Sequence, residues 1–388
     1  MELETWNVEL ESTMRIAIDA RLNAYRSGGI PQYTRQLLAA LAAVAPEHRL
    51  ITLNHRKADT PVAVAANIEH RRLWTPPHHR WEQAALPIEL WGVHADVLHL
   101  PDFIPLFALR TPTAITVHDL AFVRYPEILD AAARRYYGQI RRAVERADAI
   151  IAVSESTRRD LAELLGVDPG RVDLVYEAAA PQFQPLDLPP DAEHTISGHR
   201  LRRESFALFV GTLEPRKNLP TLLRALDLLR QRPHSEPPTL VVAGPRGWLD
   251  DDIARLVTQL RLGDAVRFVG GVATDDLVWL YNACRVYLHP ELYSGFGLPI
   301  LEAMQCGAPV IAADNSSLPE VAGDAARLLP AQAVEAWAAA WHEVWYDPDL
   351  RQRMRWAGQQ QAARFSWSAA ARETLSIYQR IARPEQER

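Results

Sequence analysis

The chain has 388 residues, enough for two or three domains with proper cores. It is 48% hydrophobic and 23% charged, as ordinary globular proteins are, and its net charge of −6 argues against nucleic acid as a partner, because phosphate binding needs a basic excess. No stretch reaches the ~18 consecutive apolar residues that a membrane-spanning helix needs.

Two further features predict the compartment. The cysteines, Cys284 and Cys306, have no paired spacing, which favours a reducing cytoplasm over a disulfide framework or a zinc site. Residues 1–13 are acidic and lack a basic region before an apolar core, so we expect an extension outside the fold and no signal peptide. The sequence therefore predicts a cytoplasmic protein.

Short apolar strands alternate with helices in the first half of the chain. Strands are predicted at 15–19, 49–53, 96–100, 113–117, 149–153 and 171–175. Helices are predicted at 31–44, 131–146 and 156–165. Residues 54–94 are rich in proline, histidine and tryptophan and give no clear prediction.

The same alternation restarts after residues 185–204, which contain prolines, lack periodicity and are interpreted as an interdomain linker. Strands are predicted at 206–210, 239–243, 265–269, 285–289 and 309–313, and helices at 219–230, 252–261, 275–283 and through the remainder to a last helix at 366–382. Continuously apolar strands between helices predict parallel sheets covered on both faces. The predicted fold is α/β, with two doubly wound Rossmann-like domains, 14–184 and 205–365, facing each other across a cleft.

Ligands of such sheets bind beyond the carboxyl ends of the strands, so the loops there are candidate sites. Residues 287–310 have the pattern of a strand, a glycine loop and a helix that begins near Pro299 and ends before Gly307. The loop amides favour an anion, whereas Glu302 in the helix favours hydroxyl groups. A phosphorylated sugar or nucleoside satisfies both, and an ordinary strand–loop–helix connection is the alternative.

Arg216 and Lys217 stand just before a predicted helix, where cations oppose the helix dipole. Arginine offers a flat pair of donors and lysine a point charge, which together suit a diphosphate. The alternative is a solvated basic turn.

Three weaker candidates follow other predicted strands or precede helices. His118 follows the strand at 113–117 and either contacts a sugar or shuttles a proton, or is hydrogen-bonded within its own turn beside Asp119. Gly28 and Gly29 form a second glycine-to-helix junction, which by itself predicts little. Gly270 and Gly271 end a strand where backbone groups could meet a nucleobase, and a plain turn explains them equally well.

Several enzyme classes are disfavoured because their motifs are missing from the sequence. No G-x-G-x-x-G follows the first strand of either half, which argues against a dehydrogenase. The chain also lacks G-x-x-x-x-G-K-[ST], H-E-x-x-H and C-x-x-C.

With these loops in place, the chain resembles the retaining, nucleotide-sugar-dependent glycosyltransferases of family 4, which have the two-domain GT-B architecture. The resemblance extends over about residues 15–378 and rests on stretches that agree in order and spacing: GGIPQYTRQLL (28–38), VHDLAFVRYPE (117–127), AVSESTRRDL (152–161), FVGTLEPRKNL (209–219), ELYSGFGLPILEAMQCGAPV (291–310) and NSSLPEVAGDAA (315–326). By these motifs the chain is similar to mannosyl- and glucosyltransferases of surface polysaccharide assembly.

The resemblance implies a role for each candidate. Arg216 and Lys217 would hold the donor diphosphate, Glu302 would accept from the ribose hydroxyls, and His118 would contact the transferred sugar. The remaining implied donor and cleft residues are Gly28, Gly29, Gly270, Gly271, Ser294, Gly295, Phe296, Gly297 and Leu298. The resemblance also implies an acceptor-binding first domain, a donor-binding second domain, and a C-terminal helix (366–388) that crosses back to the first.

One position departs from the family pattern. The family usually carries two glutamates separated by seven residues, and the first of them touches the donor sugar. Counting back from Glu302 gives Ser294, which carries no charge and reaches less far. Glu291 is a candidate substitute.

The predicted activity is transfer of a hexose, mannose or glucose, from a GDP- or UDP-linked donor to a glycan or polyprenyl-linked hydroxyl with retention of configuration. No cofactor or metal is expected, because the two cations can neutralise the leaving diphosphate. Two rivals remain: an epimerase or hydrolase of nucleotide sugars on the same fold, and a non-catalytic donor-binding subunit, which Ser294 motivates.

Peripheral contact with the inner face of the membrane is a separate hypothesis. In the predicted helix, five arginines of residues 134–146 share one face, opposite Tyr137, Ile140 and Val144. Such a helix can lie on anionic lipid, or it can be an ordinary surface helix.

Overall fold

The computed structural model describes residues 13–26, 28–126, 131–232, 238–245, 247 and 250–382. Over these residues the chain forms two parallel sheets, one in each half, and a small hairpin between them. The two-domain α/β architecture predicted from the sequence is therefore confirmed.

The first sheet has the strand order β3-β2-β1-β4-β5-β6-β7. Its strands are β1 (Arg15–Asp19), β2 (Arg49–His55), β3 (Ile68–Leu73), β4 (Val97–Leu100), β5 (Thr113–Val117), β6 (Ala149–Ala152) and β7 (Val172–Leu174). All of the pairings are parallel, with Ile16 opposite Leu50 on one side and Val97 on the other. The order reverses at β1, so the loops after β1 and β4 diverge and leave a crevice between them.

The hairpin consists of β8 (Glu193–Ile196) and β9 (His199–Arg202), and the second sheet follows it. The strands of that sheet are β10 (Phe206–Val210), β11 (Thr239–Ala243), β12 (Val266–Gly270), β13 (Val286–His289), β14 (Val310–Ala313) and β15 (Arg327–Leu329). Their order is β12-β11-β10-β13-β14-β15, with all pairings parallel.

Helices cover both sheets. Those of the first half are α1 (Gly29–Val44), α2 (Glu82–Glu89), α3 (Ala121–Arg124), α4 (Ala131–Tyr137), α5 (Ile140–Arg146) and α6 (Glu155–Leu165). Those of the second half are α7 (Leu219–Arg230), α8 (Asp250–Gln259), α9 (Thr274–Ala283), α10 (Leu298–Gln305), α11 (Leu318–Ala322), α12 (Val334–Tyr346), α13 (Pro348–Ala362) and α14 (Trp367–Ala382). None of the described helices is long and apolar enough to cross a bilayer.

Continuous apolar strands give each sheet two buried faces. In β1, Ile16 and Ile18 pack with α1 on one face, whereas Ala17 packs on the other face with Leu98 and Ile115. A single larger core surrounds the second sheet and includes Trp337 and Trp341 of α12.

The last helix belongs to the first domain, as the sequence predicted. On α14, Trp367, Ile377 and Tyr378 are buried against the first sheet and α1. The Tyr378 hydroxyl lies 2.6 Å from Nδ1 of the buried His99. The chain thus crosses from α13, on the second domain, back to the first.

Two predictions about elements were wrong. The helix predicted at 131–146 is two helices, because the chain turns at Gly138 and Gln139, and glycine is a poor residue for a helix interior. Helices do not fill the region after residue 313, where β15 adds an edge strand. Residues 185–204, interpreted as the linker, also contain the hairpin, whose turn residues Ser197 and Gly198 both have positive φ, as a type I′ turn requires.

Direct contacts hold the two domains together beside the cleft. The Ser154 hydroxyl donates to the Gly295 carbonyl at 2.6 Å, and the Leu120 amide donates to the Tyr293 hydroxyl at 3.1 Å. The first domain's loops therefore lie against the glycine loop of the second.

Candidate functional site

A cleft of about 910 Å³ separates the two domains at the carboxyl ends of their strands. It brings together most of the residues predicted from the sequence. The lining includes Gly28, Gly29, His118, Arg216, Lys217, Ser294, Gly295, Phe296, Gly297, Leu298 and Glu302.

Gly270 and Gly271 are not among the residues that line this cleft. Gly270 ends β12, an edge strand, with φ of 69°, and its carbonyl accepts from the Gly244 amide at 2.7 Å. Thr274 and Leu277 of α9, which follow the glycines, line the cleft instead. A role for the two glycines at a nucleobase stays a prediction.

Arg216 and Lys217 both point at one buried carboxylate. Nζ of Lys217 lies 2.8 Å from Oε1 of Glu291, and Nη1 of Arg216 bonds the same oxygen. His289 lies 3.0 Å from the second oxygen of Glu291. Burial alone would raise the pKa of Glu291, but Lys217 and Arg216 hold that pKa well below its usual range.

The loop that carries these cations is fixed by Asn218. Its side-chain amide donates to the carbonyls of Pro290 and Ala331 at 2.9 and 2.8 Å, and its own φ is 54°. Because an ammonium has three donors and Lys217 contacts one acceptor among the described residues, two N–H groups stay available at the cleft.

The glycine loop and the start of α10 form the neighbouring wall. Gly297 has φ of 107° at the helix start, a conformation that favours glycine. The Ser317 hydroxyl donates to the carbonyls of Ser294 and Phe296 at 2.9 and 2.8 Å, which fixes the loop from behind. Ser294 itself is buried at the cleft wall, and its amide donates to Ser316 at 2.9 Å.

Glu302 lies at the base of the cleft, where the two domains meet. One carboxylate oxygen accepts from Gln32 of α1 at 3.3 Å, and the other accepts from the Tyr281 hydroxyl at 3.2 Å. Burial raises the pKa of Glu302 to about 7, although these two hydrogen bonds oppose the rise. Near neutral pH the group is therefore divided between its carboxylate and its acid form.

His118 is held on both ring nitrogens by protein groups. Nδ1 lies 2.9 Å from a carboxylate oxygen of Glu177, and Nε2 lies 2.9 Å from the Pro101 carbonyl. Both partners are acceptors, so each nitrogen must carry a proton. Burial lowers the pKa of His118, but the hydrogen bond and charge of Glu177 outweigh burial and raise it. The ring is thus a fixed cation at the cleft.

Gly28 and Gly29 leave space at the opposite wall. A Cβ added to either would meet nothing within 4 Å, and Gly28 has φ of 135°. The two residues lead into α1, whose Gln32 reaches Glu302.

Sequence reasoning missed several cleft residues. Glu177 follows β7 and Asp102 follows β4, so position at a strand's carboxyl end was a usable signal for both. No such signal existed for Gln32, whose contact with Glu302 joins residues 270 positions apart.

The chain has two doubly wound domains that face each other across a cleft, and its last helix returns to the first domain. This arrangement defines the GT-B class of glycosyltransferase folds. The Glycosyltransferase Family 4 model matches residues 27–182, and the Glycosyl transferases group 1 model matches residues 193–361. The chain belongs to glycosyltransferase family 4, as the sequence motifs predicted.

One relative supports this assignment, and two solved structures support the fold. The O-antigen chain mannosyltransferase B of Escherichia coli is 33% identical over 313 residues, which are 80% of this chain and 79% of that protein. Sucrose-phosphate synthase from Thermosynechococcus elongatus has a similar fold, with a TM-score of 0.76 at 22% identity over 95% of this chain and 99% of that one. HepE of Anabaena, in complex with UDP and glucose, gives a TM-score of 0.69 at 19% identity over 94% and 99% of the two chains.

Proposed function

We propose that this glycosyltransferase moves a mannosyl or glucosyl group, with retention of configuration and without a metal, from a GDP- or UDP-linked donor to a hydroxyl of a glycan or polyprenyl-linked acceptor. The observation that carries the proposal is a single cleft wall with two cations, Arg216 and Lys217, and a buried carboxylate, Glu302. A nucleoside diphosphate presents the complementary groups, namely two phosphates and a ribose diol.

The relatives support the choice of donor. Mannose follows from the similarity to the E. coli O-antigen mannosyltransferase, and a nucleotide-linked glucose from the similarity to a protein solved with UDP and glucose. GDP and UDP share the diphosphate and the ribose, which are the groups that Arg216, Lys217 and Glu302 would bind.

In the proposed reaction the bond between the anomeric carbon and the phosphate oxygen breaks, and the acceptor oxygen bonds to that carbon on the same face. The acceptor proton passes to the leaving diphosphate. Arg216 and Lys217 stabilise the charge that grows on the phosphate. The carboxylates beside His118 are already engaged, since Glu177 accepts from His118 and Asp119 accepts from the Ala121 amide, which favours same-face attack over an enzymic nucleophile.

His118 serves in this scheme as a cation and not as a base. Its two nitrogens donate to Glu177 and Pro101, so no lone pair faces the substrates. Because the Glu177 carboxylate pairs with this ring, the charge on the leaving diphosphate is stabilised mainly by Arg216 and Lys217.

The proposal is tested by screening nucleotide sugars for thermal stabilisation and then assaying transfer to mannose-terminated oligosaccharides with excess chelator present. A binder raises stability according to its concentration relative to its Kd. We expect a GDP- or UDP-hexose to stabilise the protein and the product to keep the donor's anomeric configuration by NMR. Conversion of donor without acceptor would instead indicate a hydrolase or epimerase, and stabilisation without turnover would indicate a donor-binding subunit.

The Lys217→Ala variant should lower kcat/KM by roughly 10- to 100-fold, the value of a charge-assisted hydrogen bond. Because the charge on the diphosphate grows toward the transition state, kcat and donor affinity should fall together. Lys57→Ala, at an exposed lysine of the first domain, is the matched control. Unchanged kinetics in Lys217→Ala would remove this residue from the donor site.

A further inference from the structure

The first domain carries a cluster of exposed aromatic and aliphatic side chains around α2. Trp74, Trp81, Ile88 and Trp91 are 67%, 59%, 72% and 87% exposed, although residues of this type are normally buried. We call these four residues the tryptophan surface. None of the four lines the interdomain cleft.

Helix α2 holds the tryptophan surface together. Trp81 precedes the helix, and Ile88 lies seven residues later, which places both on the same helical face. Trp91 follows the helix directly after Leu90. Trp74 is fixed to the last turn because its amide donates to Glu89 at 2.6 Å. The helix is about 12 Å long, with Trp81 at its start and Ile88, Trp91 and the Trp74 amide at or near its end, so the four exposed side chains border one short helix.

Cations accompany the exposed rings. The guanidinium of Arg56 lies 4.0 Å from the ring centroid of Trp74, and that of Arg80 lies 5.5 Å from Trp81. Over residues 54–94 five cations are exposed against one exposed carboxylate, Asp59. The exposed cations are Arg56, Lys57, Arg71, Arg72 and Arg80, of which Arg71 is paired with the half-buried Glu69 at 2.7 Å. This local excess contrasts with the net charge of −6 for the chain.

Both carboxylates of α2 have partners within the protein. Glu82 is buried and bonded to Arg21, and Glu89 accepts from the amides of Trp74 and Thr75. Glu82 is paired with Arg21, whereas Glu89 keeps its negative charge beside Trp74 because its amide donors are neutral, and the five exposed cations outnumber it.

We propose that the tryptophan surface docks the protein on an anionic phospholipid bilayer. Tryptophan prefers the boundary between headgroups and acyl chains, and arginine or lysine beside it binds anionic headgroups. A neutral glycan would use the rings but not the cation excess. The surface adjoins the cleft, because the loop between Trp74 and Trp81 carries His78, which bonds the cleft residue Asp102.

The basic residues of α4 and α5 fit this role less well. Arg141 donates to the carbonyls of Leu164 and Leu165 at 3.0 and 3.3 Å, and the guanidinium of Arg142 lies 4.0 Å from the ring centroid of Phe107. These side chains cover their own domain. Bilayer contact through the arginines of α4 and α5 stays a prediction, and the tryptophan surface is a second, separate candidate.

Co-sedimentation with vesicles of phosphatidylglycerol and phosphatidylethanolamine in equal parts tests the proposal without any sugar substrate, so its outcome is independent of the proposed activity. We expect the protein to bind these vesicles, to bind phosphatidylcholine vesicles weakly, and to dissociate as salt rises. Replacing Trp74, Trp81 and Trp91 with alanine should lower binding roughly tenfold or more.

Two further variants separate the causes. Arg56→Gln with Arg80→Gln should weaken binding to the anionic vesicles by roughly 30-fold, at about 1 kcal/mol per cation, and flatten the salt dependence. Trp356→Ala is the matched control, because Trp356 is 66% exposed on α13 of the other domain, and it should bind as the unmodified protein does. All variants should keep the unmodified melting temperature.

Three results would overturn the proposal: no binding of the unmodified protein to anionic vesicles, equal loss in Trp356→Ala, or unchanged binding in the triple tryptophan variant. Soluble oligosaccharides could instead quench the tryptophan fluorescence of the unmodified protein but not of the triple variant. If this occurred without vesicle binding, the surface would be assigned to a glycan.

Discussion

At the scale of single residues, Glu302 is a candidate binding group whose burial lowers the stability of the folded protein when it is ionised. Its carboxyl group is buried at the base of the cleft, where Gln32 and Tyr281 are its hydrogen-bond donors. Two neutral donors do not replace bulk water, so the pKa rises from 4.5 to about 7. A ribose diol would supply further donors to the same oxygens.

The direction of the pKa shift fixes how Glu302 affects stability. A raised pKa means that the folded protein holds the proton more tightly than the unfolded chain does. The free energy of unfolding should therefore fall as pH rises from about 4.5 to about 7, by about 3 kcal/mol in total. Glu302→Gln should abolish that fall, so the variant should be more stable than the unmodified protein at pH 8 and equal to it near pH 4, as measured by urea unfolding.

The same substitution should reduce donor binding. Affinity for the nucleotide sugar, whose diphosphate does not titrate in this range, should increase between pH 6 and pH 8 in the unmodified protein, because ionised Glu302 is the better acceptor, and calorimetric titration should show no such increase in Glu302→Gln. A variant that retained the pH dependence would assign it to another group.

At the scale of elements, the glycine loop between β13 and α10 is set by close approach to the other domain. A Cβ on Gly295 would lie 1.9 Å from the His118 carbonyl oxygen and 2.8 Å from Cβ of Asp119. Neither atom is the end of a flexible side chain, so the loop or the domain would have to move. Glycine is therefore needed at position 295 because the two walls of the cleft lie too close for a Cβ atom, and not because the backbone has a positive φ there.

Gly295→Ala should therefore separate the two walls while leaving each domain folded. We expect nucleoside diphosphate binding to change less than about threefold, because the cations and Glu302 share one domain, and turnover to fall by 100-fold or more, since an ~1 Å displacement can remove 10²-fold in rate. Gly263→Ala is the control, as a Cβ there meets nothing within 4 Å. Turnover preserved in Gly295→Ala would contradict this explanation.

Elements differ in how far sequence predicts them. Buried strands such as β10 and β14 are predictable because every residue in them is apolar, and the Arg216–Lys217 pair is conspicuous because cations before a helix oppose its dipole. The edge strand β15 was missed because it has three residues and an exposed arginine. The hairpin was not predicted, because its strands are short and mostly polar and only the Ser197–Gly198 turn indicates it. Partners such as Gln32 for Glu302 depend on packing between distant segments, which no local pattern encodes.

At the scale of the whole molecule, hydrogen bonds between side chains of the second domain and groups of the first domain hold the two domains closed around the cleft. Glu320 of α11 accepts from the amides of Glu155 and Ser156 at 2.9 and 3.1 Å, so one domain's carboxylate caps the first turn of the other domain's α6. A carboxylate at a helix N-terminus is favoured by the orphan amides and by the helix dipole. Tyr293 adds a second link, since its hydroxyl donates to Asp160 at 2.6 Å.

Glu320→Ala should shift the protein toward an open form. Two charge-assisted hydrogen bonds in a half-buried site stabilise closure by about 1–2 kcal/mol after solvent screening, which corresponds to a roughly 5- to 30-fold change in the ratio of closed to open molecules. The radius of gyration from small-angle X-ray scattering should rise and turnover should fall, while affinity for a nucleoside diphosphate should stay nearly constant. Glu335→Ala, at an exposed glutamate of α12, should change none of these quantities. A radius of gyration unaltered in Glu320→Ala would mean that the remaining contacts, led by Tyr293, suffice to hold the cleft closed.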